Sequence, residues 1–115
     1  MKKLLVGDLM ALPTELFDEE GYLLDLAKWD ETLGDDIARS EGLELTPDHW
    51  EIILLLRRFY QQFEVSPAMR PLVKAVSKEL GPDKGKSIYL MKLFPGSPPK
   101  LAAKIAGLPK PANCL

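Results

Sequence analysis

The strongest hydrophobic pattern in this chain predicts one central helix. Between Ile52 and Phe63, apolar residues recur at i, i+3, i+4, i+7, i+8 and i+11, which is the spacing of one helical face. Other apolar residues fall between these positions, so the helix is predicted to be apolar around most of its girth and buried at the centre of the fold. Thr46 and Pro47 predict its start, because threonine caps helix N-termini and proline is tolerated in the first turn.

Four shorter helices are predicted around the central one, each bounded by residues that start or stop helices. Asp30, Ser66 and Ser97 are typical N-caps, and a glycine or proline follows each predicted helix. The four helices cover about residues 31–41, 67–80, 88–94 and 100–106. All connections are short, which predicts that residues 1–106 form a single globular domain with about five helices.

An acidic turn between two apolar segments predicts a small β-hairpin near the N-terminus. Leu12–Phe17 and Tyr22–Leu24 are the apolar segments, and the turn ends at Gly21. Because two strands alone are only marginally stable in water, the hairpin is expected to pack against the helices. The predicted fold class is therefore mainly α with a small β part (α+β), a compact orthogonal helical bundle with an N-terminal β-hairpin.

The last nine residues, 107–115, have the character of an arm rather than of a helix or strand. Pro109 and Pro111 fix the backbone torsion φ and remove hydrogen-bond donors, which favours an extended chain. An extended segment from Gly107 to Cys114 would span roughly 22 Å. Residues 107–115 are therefore predicted to form a flexible C-terminal arm that follows the globular domain.

Composition is ordinary for a globular protein and excludes several kinds of site. The 115 residues are 46% hydrophobic and 28% charged. The single cysteine rules out an internal disulfide and any paired-cysteine redox or zinc site. The apolar run at the N-terminus is too short for a signal peptide, and no stretch approaches the ~18–20 apolar residues of a membrane span. The expected location is the cytoplasm, without a membrane partner.

Charge is distributed unevenly along the chain. Residues 1–64 carry six basic and fifteen acidic side chains, a net charge of −9, whereas residues 65–115 carry nine basic and two acidic ones, a net charge of +7. Such polarity predicts either a two-faced surface that steers partners or two halves that neutralise each other when packed. The sequence leaves both readings open.

Residues 47–80 and the single histidine offer two alternative sites. Two helices joined by a short turn resemble a helix-turn-helix, so a DNA-binding regulator is one hypothesis, although Arg70, Lys74 and Lys78 are the only cations on the second helix. His49 alone excludes a multi-histidine metal site and is expected at the surface of the first helical turn. No phosphate-binding glycine loop occurs. Neither a metal nor a cofactor is therefore predicted.

Cys114 is the residue that carries chemistry. A free cysteine is usually buried, but a penultimate residue at a chain end is a poor candidate for burial. The thiolate is the nucleophile, and only a few per cent of an ordinary cysteine is ionised at pH 7. An arm supplies no acid or base of its own, which favours a carrier over a self-contained enzyme. The alternative is a cysteine without a function.

Several segments together resemble the TusE/DsrC family of sulfur carriers. The ending KIAGLPKPANCL is the most specific of them, and the resemblance spans nearly the whole chain. The other matching segments are DEEGYLLD at 18–25, LTPDHWE at 45–51, SPAMR at 66–70 and the stretch from Tyr89 onward. The family implies a small, mainly helical fold with an N-terminal β-hairpin and a flexible C-terminal arm. It also implies that Cys114 accepts sulfane sulfur as a persulfide.

The resemblance further implies partners and a choice between two pathways. Family members that serve sulfite reductase have a second cysteine eleven residues earlier, where this chain has Ala103. The chain is therefore more similar to the TusE branch, whose members take sulfur from a TusBCD complex and pass it to a tRNA 2-thiouridylase with bound tRNA. The alternative is a carrier in dissimilatory sulfur metabolism, with dissimilatory sulfite reductase as its partner. Lys100, Lys104 and Lys110 are expected either to guide docking or merely to aid solubility.

Overall fold

The computed structural model describes residues 12–112, which fold into five α-helices with two short 3₁₀ turns before them. The prediction of a mainly helical fold with about five helices is confirmed. The helices are α1 (Glu31–Ser40), α2 (Pro47–Phe63), α3 (Met69–Leu80), α4 (Ser87–Leu93) and α5 (Pro98–Ile105), and the 3₁₀ turns are Thr14–Leu16 and Leu26–Lys28.

The helix at the centre of the packing is α5, not α2. Although α5 is short, it contacts each of the other four helices. Ala102 and Ala103 are fully buried in it, and such small side chains let neighbouring helices approach closely. The α2 helix buries Ile52 and Leu56 completely, yet Leu54 on another face is 37% exposed. Within residues 12–112, no helix combines the length and the apolar character needed to cross a membrane.

Helix starts follow the capping residues at two of the predicted positions. The Asp30 side chain accepts a hydrogen bond of 2.8 Å from the Leu33 amide and caps α1. Thr46 and His49 form a reciprocal capping box at the start of α2. Ser66 is not a cap, because α3 begins at Met69, two residues later than the sequence indicates.

The predicted β-hairpin is wrong for the residues that the structure describes. Residues 12–29 contain a single antiparallel bridge, between Phe17 and Leu23, and no strand. The Asp18 carboxylate accepts hydrogen bonds of 2.9 Å from both the Glu20 and Tyr22 amides and so organises the turn. Backbone bonds from the Asp18 amide to the Tyr22 carbonyl and from the Leu24 amide to the Leu16 carbonyl accompany the bridge. The part of the predicted hairpin before residue 12 lies outside the described residues.

Candidate functional site

The candidate nucleophile, Cys114, lies outside residues 12–112, so its own surroundings are not described. The structure follows the chain as far as Ala112, two residues earlier. The site is therefore defined by how the residues that lead to Cys114 are held. We call residues 107–111 the tail root.

The tail root begins with a sharp reversal at the C-terminus of α5. The Leu108 amide donates to the Ala103 carbonyl at 2.9 Å, and the Gly107 amide donates to the Lys104 carbonyl at 3.2 Å. This pair of bonds is the Schellman motif, and Gly107 has the positive φ of +72° that the motif requires. Leu108 is only 1% exposed. The chain is thus pinned to the helical body directly after α5.

Trp29 and Arg57 hold the same helix end from the side. The Trp29 indole donates to the Ile105 carbonyl at 2.8 Å, and the Arg57 guanidinium donates to the Ala106 carbonyl at 2.5 Å. The guanidinium also lies 4.1 Å from the centroid of the Trp29 ring, a cation–π contact. Burial lowers the pKa of Arg57 from its ordinary value, but arginine stays protonated in proteins. A cation at this position complements the negative end of the α5 dipole.

Two further contacts hold the tail root beyond Leu108. The buried Ser66 hydroxyl donates to the Pro109 carbonyl at 2.6 Å, and the Lys110 ammonium lies 2.8 Å from the Glu20 carboxylate. Pro111 is buried, whereas Ala112 is exposed. The chain is therefore held on two flanks, by Ser66 on one and by Glu20 on the other, until it reaches Ala112.

These contacts change the prediction of an arm that extends from Gly107. Residues 107–111 lie against the helical body, so the reach of roughly 22 Å does not apply to this part of the tail. Cys114 lies two positions beyond Ala112, a separation that an extended chain spans in about 7 Å. For residues 113–115, outside the described part, the arm stays a prediction.

A polar cleft of about 400 Å³ lies on one flank of the tail root, and all three lysines predicted to guide docking line it. Lys104 is paired with Glu41 at 3.3 Å, and Lys110 is paired with Glu20 at 2.8 Å. Two of the three lysines thus neutralise acidic residues of the N-terminal half. For these two, the structure favours mutual neutralisation of the two halves over steering of a partner.

His49 is buried rather than at the helix surface, so that expectation is wrong. Its Nε2 lies 2.8 Å from the Leu93 carbonyl oxygen, which can only accept, and its Nδ1 accepts from the Thr46 amide at 3.0 Å. The ring is therefore the neutral tautomer with hydrogen on Nε2. It packs edge-on against Phe94, with 5.2 Å between the ring centroids. The Nε2 bond joins α2 to α4 and the Nδ1 bond caps α2, so both nitrogens are engaged and His49 is not available as a base.

Sequence reasoning missed the residues that hold the tail root. Ser66 gave a signal that was assigned to a helix cap, while Trp29, Arg57 and Glu20 gave no signal, since their partners are distant in sequence. For metal binding, residues 12–112 contain no group of three or more histidine, cysteine or acidic side chains arranged to hold an ion.

Comparison with known proteins gives consistent matches along the chain. A family model described as DsrC like protein matches residues 13–115. Sulfurtransferase TusE of Pectobacterium atrosepticum is 52% identical over 98 residues, which are 85% of this chain and 90% of that protein. The sulfurtransferase TusE homolog of Haemophilus influenzae is 54% identical over 98 residues, again 85% of this chain and 90% of that protein. The NMR structure of Allochromatium vinosum DsrC superposes with a TM-score of 0.79 at 49% identity, covering 86% of this chain and 88% of that one.

Proposed function

This chain belongs to the DsrC-like protein family, and we propose that it is a sulfur carrier for tRNA thiolation. Cys114 accepts sulfur as a persulfide and passes it to a tRNA 2-thiouridylase, which builds 2-thiouridine at the wobble position. The observation that carries the proposal is the identity of 52–54% to relatives named sulfurtransferase TusE, within a family match that runs through Cys114 to residue 115.

The transfer step needs only the thiol of Cys114 and a persulfide on the donor. The Cys114 thiolate attacks the outer sulfur of the donor persulfide, forming a new S–S bond while the donor's own S–S bond breaks. The donor leaves as a thiolate, and Cys114 becomes a persulfide without net oxidation or reduction. A second thiolate, in the acceptor's site, then attacks the outer sulfur of Cys114 in the same way.

The tail root supports a carrier rather than a self-contained enzyme. Lys110 is the only ionisable side chain between residues 107 and 112, and it is already paired with Glu20. A thiol with an ordinary pKa near 8.5 gains no fixed acid or base from such a segment. The partner's site therefore supplies the proton transfers, and the anchored tail root presents Cys114 to it.

Ala103 favours the tRNA pathway over the sulfite reductase pathway. Its side chain is fully buried inside α5, at the position where sulfite-reductase-type members have a second cysteine. Without that thiol, Cys114 cannot form an intramolecular disulfide or trisulfide. The proposed donor is a complex of the TusBCD type, the proposed acceptor is the thiouridylase with its bound tRNA, and both act in the cytoplasm.

The chemistry is tested by mass. Incubation with a persulfide donor should add one sulfur atom to the intact wild-type protein. Cys114→Ser, which removes the only thiol, should add none while keeping its helical circular dichroism. A wild-type chain without an adduct, or an adduct that persists in the variant, would contradict the carrier proposal.

The pathway needs a separate test in cells. Deletion of the gene should abolish 2-thiouridine in tRNA, and a plasmid copy with Cys114→Ser should not restore it. Unchanged 2-thiouridine after deletion, with an intact ability to carry sulfur, would instead assign the protein to dissimilatory sulfur metabolism.

A further inference from the structure

The surface between α2 and α3 opens into a groove that the sulfur-carrier chemistry does not use. Two adjoining clefts of about 540 and 650 Å³ form it and share Phe59, Phe63 and Pro71. Phe63 and Val65 are 52% and 56% exposed. Large apolar side chains grouped at an exposed surface mark interaction sites. We refer to this surface as the α2–α3 groove.

Basic side chains form one rim of the α2–α3 groove. Lys74 and Lys78 line it, and Arg70 lies on the same face of α3, because a spacing of four residues aligns side chains along a helix. All three are exposed, and none forms an ion pair with another residue in the described part of the chain. In contrast, Arg58 on α2 is paired with Glu79 at 2.9 Å. The rim thus places positive charge beside an apolar floor.

The α2–α3 groove reaches the tail. Pro109, Lys110 and Ala112 line the larger of its two clefts, together with Phe63. Since about 7 Å of extended chain separates Ala112 from Cys114, a partner bound in the groove lies within reach of the thiol. The groove is therefore placed to dock a protein that reacts with Cys114.

We infer that the α2–α3 groove binds an amphipathic helix whose apolar face is flanked by acidic residues, and that this helix belongs to the protein that loads Cys114 with sulfur. The apolar floor is complementary to the apolar face of such a helix, and Lys74 and Lys78 are complementary to its acidic flank.

The inference rests on the proposed function and selects the donor for an electrostatic reason. An enzyme that binds tRNA needs basic side chains facing the phosphates, so an acidic docking helix is less suited to its surface near the bound tRNA. The donor has no such requirement and is free to present acidic residues. Docking through this rim therefore discriminates the protein that loads Cys114 from the protein that unloads it.

The floor of the groove fits a protein helix better than it fits a nucleic acid. Arg70, Lys74 and Lys78 would serve the DNA-binding alternative through contacts to phosphates, but such contacts make no use of an exposed apolar floor. The rings of Phe59 and Phe63 also pack against each other, with centroids 4.6 Å apart, instead of standing separately as platforms for bases.

Paired charge reversals test the inference in the full-length protein. Lys74→Glu with Lys78→Glu inverts the rim, and the matched control, Lys86→Glu with Lys92→Glu, inverts two exposed lysines at α4. Each variant is loaded either by a persulfide-bearing donor complex of the TusBCD type or by inorganic polysulfide. Loading by the complex should slow about tenfold in the rim variant alone, because rim charges act mainly on the association rate. Polysulfide loading should be equal in all three proteins.

Four other results would each be decisive. Equal loading of both variants by the donor complex would overturn the inference. Normal loading with slowed transfer to the thiouridylase would also overturn it, since the groove would then serve the acceptor. Normal loading with lost tRNA binding in a mobility-shift assay would assign the rim to nucleic acid. If the wild-type chain takes sulfur from neither source, the proposed function itself fails.

Discussion

The two flanks of the tail root are held by contacts of similar length in very different surroundings. On the side of the polar cleft, Lys110 and Glu20 lie 2.8 Å apart, with side chains that are 40% and 59% exposed. On the side of the α2–α3 groove, the Ser66 hydroxyl and the Pro109 carbonyl lie 2.6 Å apart, and Ser66 is buried. Water competes more strongly with the first contact than with the second, so the Ser66 bond should contribute more to stability. Distance alone does not rank them.

This asymmetry bears on how a carrier presents its cysteine. The buried bond fixes the tail root against the connection between α2 and α3, next to the groove where we place the donor, while the exposed ion pair contributes little rigidity. Trp29 and Gly107 lie beneath both flanks, at the point where the chain leaves α5. Three substitutions separate these contributions, the first acting on both flanks and the others on one flank each.

Gly107→Ala should have the largest effect, because it disturbs both flanks at once. An alanine is strained at φ +72°, and its Cβ would overlap the Trp29 ring. We expect a loss of about 2–4 kcal/mol in the free energy of unfolding, measured with urea. Sulfur loading by the donor complex should fall as well, since the tail root can no longer take its position.

Gly42→Ala is the matched control for that substitution. Gly42 has a similar φ of +77°, but no described atom lies within 4 Å of the position of an added Cβ. It should therefore cost only the backbone strain, about 1–2 kcal/mol. Equal losses for the two variants would mean that the Trp29 side chain moves aside at no cost in free energy. The close packing of Gly107 against Trp29 would then not be what holds the tail root in place.

The helices were predictable because the signals that set them are local. Caps such as Asp30 and breakers such as Gly107 act within a few residues of the helix ends that they define. The predicted hairpin was wrong because 3₁₀ turns at Thr14–Leu16 and Leu26–Lys28 replace extended chain on both sides of the turn and leave a single bridge between them. The central role of α5 was hidden because its small alanines give a weak hydrophobic pattern, and only tertiary packing shows that four helices meet there.

Of the candidate site, only the reactive cysteine was predictable from the sequence. Cys114 could be identified from its place in the sequence and from the family resemblance, but the contacts that hold the tail root could not. A serine before a proline fits an N-cap equally well in sequence, and only the fold brings Ser66 to a carbonyl 43 residues away. The contact between Trp29 and Ile105 spans 76 residues and likewise has no local signature.

Ser66→Ala should have an intermediate effect, because it breaks the buried flank alone. The Pro109 carbonyl would lose its donor, at a cost of about 1–2 kcal/mol. The control is Ser40→Ala, whose hydroxyl makes an equally short bond of 2.6 Å to the Ile37 carbonyl within its own helix. That local bond should contribute about 0.5 kcal/mol or less. Unfolding in urea measures both variants, and a Ser66→Ala loss no larger than the control's would show that burial does not strengthen this contact.

Glu20→Gln should have the smallest effect, because the ion pair that it breaks is exposed to solvent. Glu19→Gln is the control, since it removes the same charge from the neighbouring exposed residue, which has no ion pair within the described part of the chain. The two variants should differ by about 0.5 kcal/mol or less in the free energy of unfolding at low salt. The difference should vanish in about 1 M NaCl, because the Debye length is then only about 3 Å and salt screens the attraction between exposed charges. A loss above about 1.5 kcal/mol that persists in salt would contradict the comparison, because exposed ion pairs contribute less than that. The Glu20 contact would then stabilise the fold as strongly as the Ser66 contact.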